Sequence, residues 1–175
     1  MSGKIEISES GPDDEPAIEA LYPAAFPEED LLPVVRALLR ETSGVLSLLA
    51  LERPSVAGHA VFTVCGLAGQ TESVALLGPL AVRPALQRRG IGGALVRAGL
   101  ERMKAARIQK VLVLGDPAYY GRFGFAPETG ITPPYQIPED WRPAWRSLDL
   151  GTAAISLSGT LMVPAPWRVP AYWGA

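Results

Sequence analysis

Apolar residues along the chain change their spacing several times, and each change predicts an element. Ile5 and Ile7 alternate with polar neighbours over Lys4 to Ser8, which reads as a short strand, and Gly11-Pro12-Asp13-Asp14 supplies a turn and a helix cap. Glu15 to Phe26 and Glu28 to Glu41 carry apolar residues at helical intervals, with Pro23, Pro27 and Pro33 marking bends or first turns. Leu46 to Leu51 and Val56 to Cys65 are apolar or β-branched runs joined by Glu52-Arg53-Pro54-Ser55, the signal of an antiparallel hairpin. Glu72 to Val82 is a further strand, in which Pro79 cannot donate a ladder hydrogen bond and so implies an edge, a bulge or a split. From Gly90 to Ala106, Ile91, Ala94, Leu95, Ala98, Met103 and Ala106 recur at helical spacing, while Arg97, Glu101, Arg102 and Lys104 are expected to face water. Val111 to Leu114 reads as a buried strand, and Pro117 to Arg122 as a brief helix that Gly124 ends. Past Phe125 the pattern weakens. Trp145 to Leu150 and Ala154 to Val163 alternate enough for two late strands, and Pro164 to Ala175 reads as an irregular tail.

Length and charge narrow the class. A chain of 175 residues fits one domain, and at 48% apolar and 19% charged residues it has material for a core and little for extended disorder. The reading is therefore a single domain over residues 1–175, with strand, helix pair and hairpin in 1–65, a central part in 72–127, and late strands and tail in 128–175. Sixteen basic against eighteen acidic residues give a net charge of -2, which gives no reason to expect a nucleic-acid partner. Locally, Arg83, Arg88, Arg89 and Arg97 cluster beside glycines, the outline of an anion site. Cys65 is the single cysteine, so no internal disulfide can form and no structural zinc set exists. Met1 to Ser10 lacks the apolar stretch of a signal peptide, and no segment reaches the roughly 20 apolar residues that span a bilayer. A cytoplasmic protein with no membrane partner and no metal is the expectation.

The glycines carry the most specific chemistry. A strand ending near Val82, a loop, and a helix beginning near Gly90 place unpaired N–H groups at one helix N-terminus, where the helix dipole adds about half a positive charge. Gly90, Gly92 and Gly93 leave that end free of side chains, and Arg88 and Arg89 raise the local potential, so a diphosphate suits it. A nucleoside-triphosphate loop fails because no Gly-Lys-Ser or Gly-Lys-Thr follows. A dinucleotide fingerprint fits poorly, since position 95 holds Leu95 and no acidic residue ends the Val111 to Leu114 strand. The remaining alternative is that the glycines serve only close helix-sheet packing.

Gln87-Arg88-Arg89-Gly90-Ile91-Gly92 matches the Gln/Arg-x-x-Gly-x-Gly/Ala signature of the GCN5-related N-acetyltransferases (GNAT). The flanking runs Gly78-Pro79-Leu80-Ala81-Val82-Arg83-Pro84 and Gly115 to Phe125 resemble the bacterial YhbS-like branch of that family. The resemblance spans most of the chain, with specific motifs between Leu77 and Pro127, weaker ones in the first two helices and poor ones after Gly130. It implies an α/β (α+β) fold, a mixed and mostly antiparallel sheet splayed between its fourth and fifth strands, with helices on both faces and acyl-CoA entering the splay. It further implies that acetyl-CoA is the cofactor. The backbone around Leu80, Ala81 and Val82 would pair with the pantetheine amides like an added strand, and Gln87, Arg88, Arg89, Gly90, Ile91, Gly92, Gly93 and Ala94 would hold the pyrophosphate. Asp116 and Pro117 replace a longer, Asn-bearing link in many members. Asp116 is expected to cap the helix begun by Pro117 and to meet the pantetheine through nearby backbone.

An alkylammonium has a pKa of about 10.4, so an amine acceptor must lose a proton, and the departing thiolate, with a pKa of about 8.5, benefits from a donor. By the resemblance, Tyr120 occupies the position of the family's tyrosine acid, four residues before Gly124; packing against the cofactor stem is its alternative role. Tyr119 should face elsewhere. The base stays open among His59, Glu72 and water, while Cys65 has no neighbouring base and reads as a small apolar residue. Glu28, Glu29 and Asp30 either attract a cationic amine or simply solvate a helix start. Trp141, Trp145, Trp167, Trp173, Tyr135 and Tyr172 fill a core, line a groove or form a homodimer contact. The expected activity is direct acetyl transfer to a small-molecule amine. A non-catalytic acyl-CoA sensor and a protein or peptide N-acetyltransferase are the alternatives.

Overall fold

Strands and helices follow in the order β1 (Glu6–Glu9), α1 (Glu15–Ala25), α2 (Leu32–Leu39), β2 (Val45–Glu52), β3 (Ser55–Leu67), β4 (Val74–Val82), α3 (Ile91–Ala105), β5 (Lys110–Leu114), α4 (Pro117–Gly121), β6 (Ala126–Pro127), β7 (Ile131–Thr132), β8 (Trp145–Asp149) and β9 (Gly159–Met162). The structure, a computed structural model, describes residues 3–151 and 156–175. Its residues divide between two compact units, Met1–Phe62 with Gly78–Glu101, and Thr63–Leu77 with Arg102–Ala175.

In the first unit β1 pairs antiparallel with β2, from Glu6↔Leu51 to Glu9↔Leu48, and β3 and then β4 follow in strand order. Helix α1 turns Ile18, Leu21 and Tyr22 inward, and α2 turns Val34, Val35 and Leu38 inward, the i, i+3, i+4 spacing of an apolar stripe. Each such side chain taken out of water contributes about 1.5–3 kcal/mol. The guanidinium of Arg36 donates twice to the Glu19 carboxylate, at 2.6 and 3.1 Å, and clasps α2 to α1. On α3 the buried residues Ile91, Leu95 and Val96 repeat the stripe. Gly99 continues it with no side chain, because a Cβ there would lie 1.9 Å from the Phe62 ring.

The second unit holds a parallel pair, β4 with β5, from Ala75↔Val111 to Leu77↔Val113. Strand β8 pairs antiparallel with β5, from Lys110↔Asp149 to Leu114↔Trp145, and β6 with β8. Strand β9 joins the end of β3 at Gly66↔Met162 and takes β7 in parallel. Trp145 and Trp173 are buried in this core, and their indole N–H groups donate to the carbonyls of Ile131 (2.8 Å) and Trp167 (3.0 Å), while that of Trp167 donates to the Thr63 hydroxyl at 3.2 Å. The Glu128 carboxylate receives Lys110 at 3.0 Å, Ser147 at 2.7 Å and the N–H groups of Gly130 and Ile131 at 2.6 and 2.8 Å.

Several expectations are corrected here. The tail is packed: Ala165–Trp167 and Pro170–Trp173 form 3-10 turns, and Trp173 is 2% exposed. The second helix covers only Leu32–Leu39, because Pro33 sits in its first turn and leaves Glu28, Glu29 and Asp30 in an exposed turn before it. Strand β4 begins at Val74, so Glu72 precedes it. The last strand runs Gly159–Met162, and residues 154 and 155 of the expected range lie outside the described residues. Arg102 does not simply face water, since its Nη1 is shielded and has no hydrogen-bond partner.

Candidate active site

The chain from β4 into α3 carries the candidate anion-binding residues, in the first unit. Over the end of β4 burial alternates with period two, so that Leu80 and Val82 are half-buried and Ala81 is in the core. At the start of that stretch Gly78 takes φ +146°, a conformation only glycine adopts easily, next to Pro79, which has no N–H. The parallel register with β5 stops one residue earlier, at Leu77, so the irregularity expected at Pro79 falls at the predicted place. Pro84 to Leu86 make a 3-10 turn, and the Gln87 side-chain amide donates back to the Val82 carbonyl at 3.2 Å.

Two residues of the loop lie in left-handed backbone, Arg88 at φ +63° and Gly90 at φ +80°. A non-glycine residue there is uncommon, and such outliers gather at functional sites. The helical ladder starts with the Ala94 N–H donating to the Gly90 carbonyl at 3.0 Å. The N–H groups of Ile91, Gly92 and Gly93 precede it and have no intrahelical acceptor. A Cβ on exposed Gly90 would meet nothing within 4 Å, so space is open at Gly90 itself, while Ile91 and Gly92 are buried and Gly93 is half-buried. Arg88 and Arg89 are exposed beside it, and Arg89 pairs with Glu52 at 3.1 Å. The bare donors, the dipole end and the guanidinium groups suit a diphosphate, and the residues therefore fit the pyrophosphate of a coenzyme. Of the predicted basic cluster, Arg83 turns away, its guanidinium hydrogen-bonding the Val56 carbonyl, and Arg97 is exposed on α3.

His59 lies in the same unit and is fully buried on β3. Its Nδ1 is 2.6 Å from the Tyr22 hydroxyl and its Nε2 2.7 Å from the Ser47 hydroxyl, which in turn accepts the Ser10 hydroxyl at 2.6 Å. Burial pushes its pKa down to about 4 and that of Tyr22 well up. With both ring nitrogens engaged, His59 joins α1 to the sheet, and the chain of hydroxyls around it was not visible in the sequence, where Tyr22, Ser47 and Ser10 lie far apart. Glu72 is half-buried before β4.

Asp116, Pro117 and Tyr120 belong to the second unit. The Asp116 carboxylate accepts the Ala118 N–H at 3.0 Å and caps α4, the role expected of it, with Pro117 in the first helical turn. The Tyr120 ring is 9% exposed and meets Tyr119 and Phe125 edge to face, at 5.0 and 5.8 Å between centroids. Burial first, then the neighbouring Tyr119 and Asp116, hold its phenol well above the ordinary tyrosine value. It is therefore protonated across the neutral range. Cys65 is buried, and burial pushes its thiol up to about 12, which agrees with its reading as an inert apolar residue. Among the described residues no His, Cys, Asp or Glu group is arranged to hold a metal ion, and no helix is long and apolar enough to cross a membrane.

Residues 15–125 match the model of the acetyltransferase (GNAT) family. The uncharacterized N-acetyltransferase YjhQ of Escherichia coli strain K12 is 36% identical over 140 residues, covering 76% of this chain and 77% of its own. The crystal structure of the GNAT family N-acetyltransferase YhbS from Escherichia coli, in complex with CoA, superimposes with a TM-score of 0.85 at 25% identity, covering 97% of this chain and 94% of that one. A GNAT family acetyltransferase from Brucella melitensis, in complex with acetyl-CoA, gives a TM-score of 0.76 at 28% identity over 94% of this chain and 99% of its own. The mixed, mostly antiparallel sheet with its parallel β4–β5 pair is thus the fold these enzymes share. The chain belongs to the GNAT family of acetyltransferases.

Proposed function

We propose that this enzyme transfers the acetyl group of acetyl-CoA to the nitrogen of a small-molecule amine by direct attack, in the cytoplasm. The observation that carries the reading is the N-terminal end of α3, where three consecutive N–H groups stand without intrahelical acceptors beside Arg88 and Arg89, with open space at Gly90. Bound acetyl-CoA supplies an acyl group activated as a thioester. The N–H groups of Ile91, Gly92 and Gly93, with the rest of Gln87 to Ala94, hold its pyrophosphate, and the backbone of Leu80, Ala81 and Val82 offers an edge for the pantetheine amides. The backbone at Asp116 and Pro117 adds a further contact. Tyr120 acts as general acid. Its buried phenol keeps its proton at neutral pH and donates a hydrogen bond to the departing sulfur as negative charge develops there.

His59 is a poor base in this reading, because both nitrogens are bonded within the core and its pKa lies at about 4. Glu72 or a water-borne path takes the proton of the acceptor ammonium. The buried, solitary Cys65 accords with a reducing compartment. A mass-spectrometric screen of the enzyme with acetyl-CoA against amines, amino acids and peptides tests the activity. Acetylated free amine is the expected product. Peptides acetylated in preference to free amines would make this a protein-modifying enzyme, and binding of acetyl-CoA without any acetylated product would make it a sensor.

A further inference from the structure

We propose that Gly115 is a positioning residue for the acyl transfer: its missing side chain forms the seat against which the Tyr120 ring is held. The inference rests on the reading of Tyr120 as the general acid. Gly115 follows the last residue of β5, and its N–H donates to the Ala144 carbonyl at 3.0 Å, which ties this point of the backbone to the segment entering β8. Its φ lies outside the left-handed region, so the backbone itself would accept any residue. What requires glycine is the ring. A Cβ built on Gly115 would lie 2.4 Å from Cε2 of Tyr120, 3.0 Å from Cδ2 and 3.4 Å from Cζ, the carbon that carries the hydroxyl.

The ring cannot yield freely. Its backbone is fixed at both ends, the Tyr120 N–H donating to Asp116 at 3.0 Å and its carbonyl accepting the N–H groups of Phe123 at 3.0 Å and Phe125 at 3.3 Å. Tyr119 and Phe125 meet its other surfaces edge to face. Relieving a contact of 2.4 Å to an ordinary 3.4 Å therefore moves the phenol edge by about 1 Å, which is the scale of misplacement that costs up to about a hundredfold in a positioned catalytic group. The small link Gly115-Asp116-Pro117 thus has two tasks, capping α4 through Asp116 and leaving room for the ring at Gly115.

The test is a double-mutant cycle of Gly115→Ala and Tyr120→Phe, assayed with acetyl-CoA and the amine acetylated fastest in the screen above. Gly115→Ala is expected to lower kcat by about tenfold to a hundredfold with the acetyl-CoA Kd unchanged, and by less than twofold when Tyr120 is already Phe. An equal fall in both backgrounds would overturn the positioning role, and wild-type turnover in Gly115→Ala would do the same. Wild-type turnover in Tyr120→Phe would instead remove the acid on which the inference rests. A second cycle reads folding alone, comparing the urea midpoints of Gly115→Ala, Tyr120→Ala and the pair. The loss caused by Gly115→Ala should vanish once the ring is gone, and a loss that persists in full without the ring contradicts the seat.

Discussion

Tyr120 is the proposed acid because its surroundings leave it protonated, and that same burial sets its limits. A phenol raised well above its usual value is a weaker acid than one in water, so in the proposed mechanism its contribution is a hydrogen bond to a sulfur that is becoming negative. Replacing it with phenylalanine keeps the ring contacts to Tyr119 and Phe125 and removes only the hydroxyl. Tyr120→Phe should lower kcat by about tenfold to a hundredfold and leave the Kd for acetyl-CoA within about twofold, measured by steady-state kinetics and calorimetry. At this scale the sequence was informative on Asp116 as a cap and on Cys65 as an apolar residue. It was silent on Glu52, which pairs with Arg89, and on the partners of His59, because those contacts join residues 12 to 37 positions apart.

At the level of elements, α3 was legible to within a residue at either end because it carries both a helical stripe and a glycine-rich start. The second helix was not, since Pro33 is as compatible with the interior of an apolar stretch on paper as with the first turn it occupies. Gly99 sits in the middle of α3, where alanine is ordinarily the better helix former by about 1 kcal/mol. Here packing decides against it. A Cβ at 1.9 Å from the Phe62 ring forces either the helix or the ring to move, and overpacking of this kind costs about 1–3 kcal/mol. Gly99→Ala should therefore lower the urea midpoint, and restoring it with Phe62→Leu in the same chain would locate the strain. A midpoint raised by Gly99→Ala would show that helix propensity outweighs the contact.

Over the whole molecule, stability should carry the signature of His59. Its pKa is about 4 when folded against 6.5 when exposed, so between those values the unfolded chain binds the extra proton. The contribution is fully present above pH 6.5 and is lost as pH falls toward 4. At pH 5 the loss amounts to about 2 kcal/mol. Urea titrations at pH 7 and pH 5 should show that fall in the wild-type chain and a smaller one in His59→Gln, whereas equal falls in the two would mean that His59 is not the group responsible.

The C-terminal third was the least legible part of the fold. Trp145, Trp167 and Trp173 are held by indole hydrogen bonds to Ile131, Thr63 and Trp167 and by edge-to-face contacts at 5.9 and 6.1 Å, none of which has a local sequence signal. The tail therefore looked irregular when it is packed. The proposed diphosphate site rests on consecutive donors at the start of α3, and it can be challenged most directly at Gly90, which is exposed and open. An aspartate there would offer its own carboxylate to the N–H groups at the start of α3, while an asparagine has the same size and the same backbone tolerance without the charge. Calorimetric titration with acetyl-CoA should show binding weakened about tenfold to a hundredfold more by Gly90→Asp than by Gly90→Asn. Equal affinities in the two variants would contradict an anion held at the start of α3.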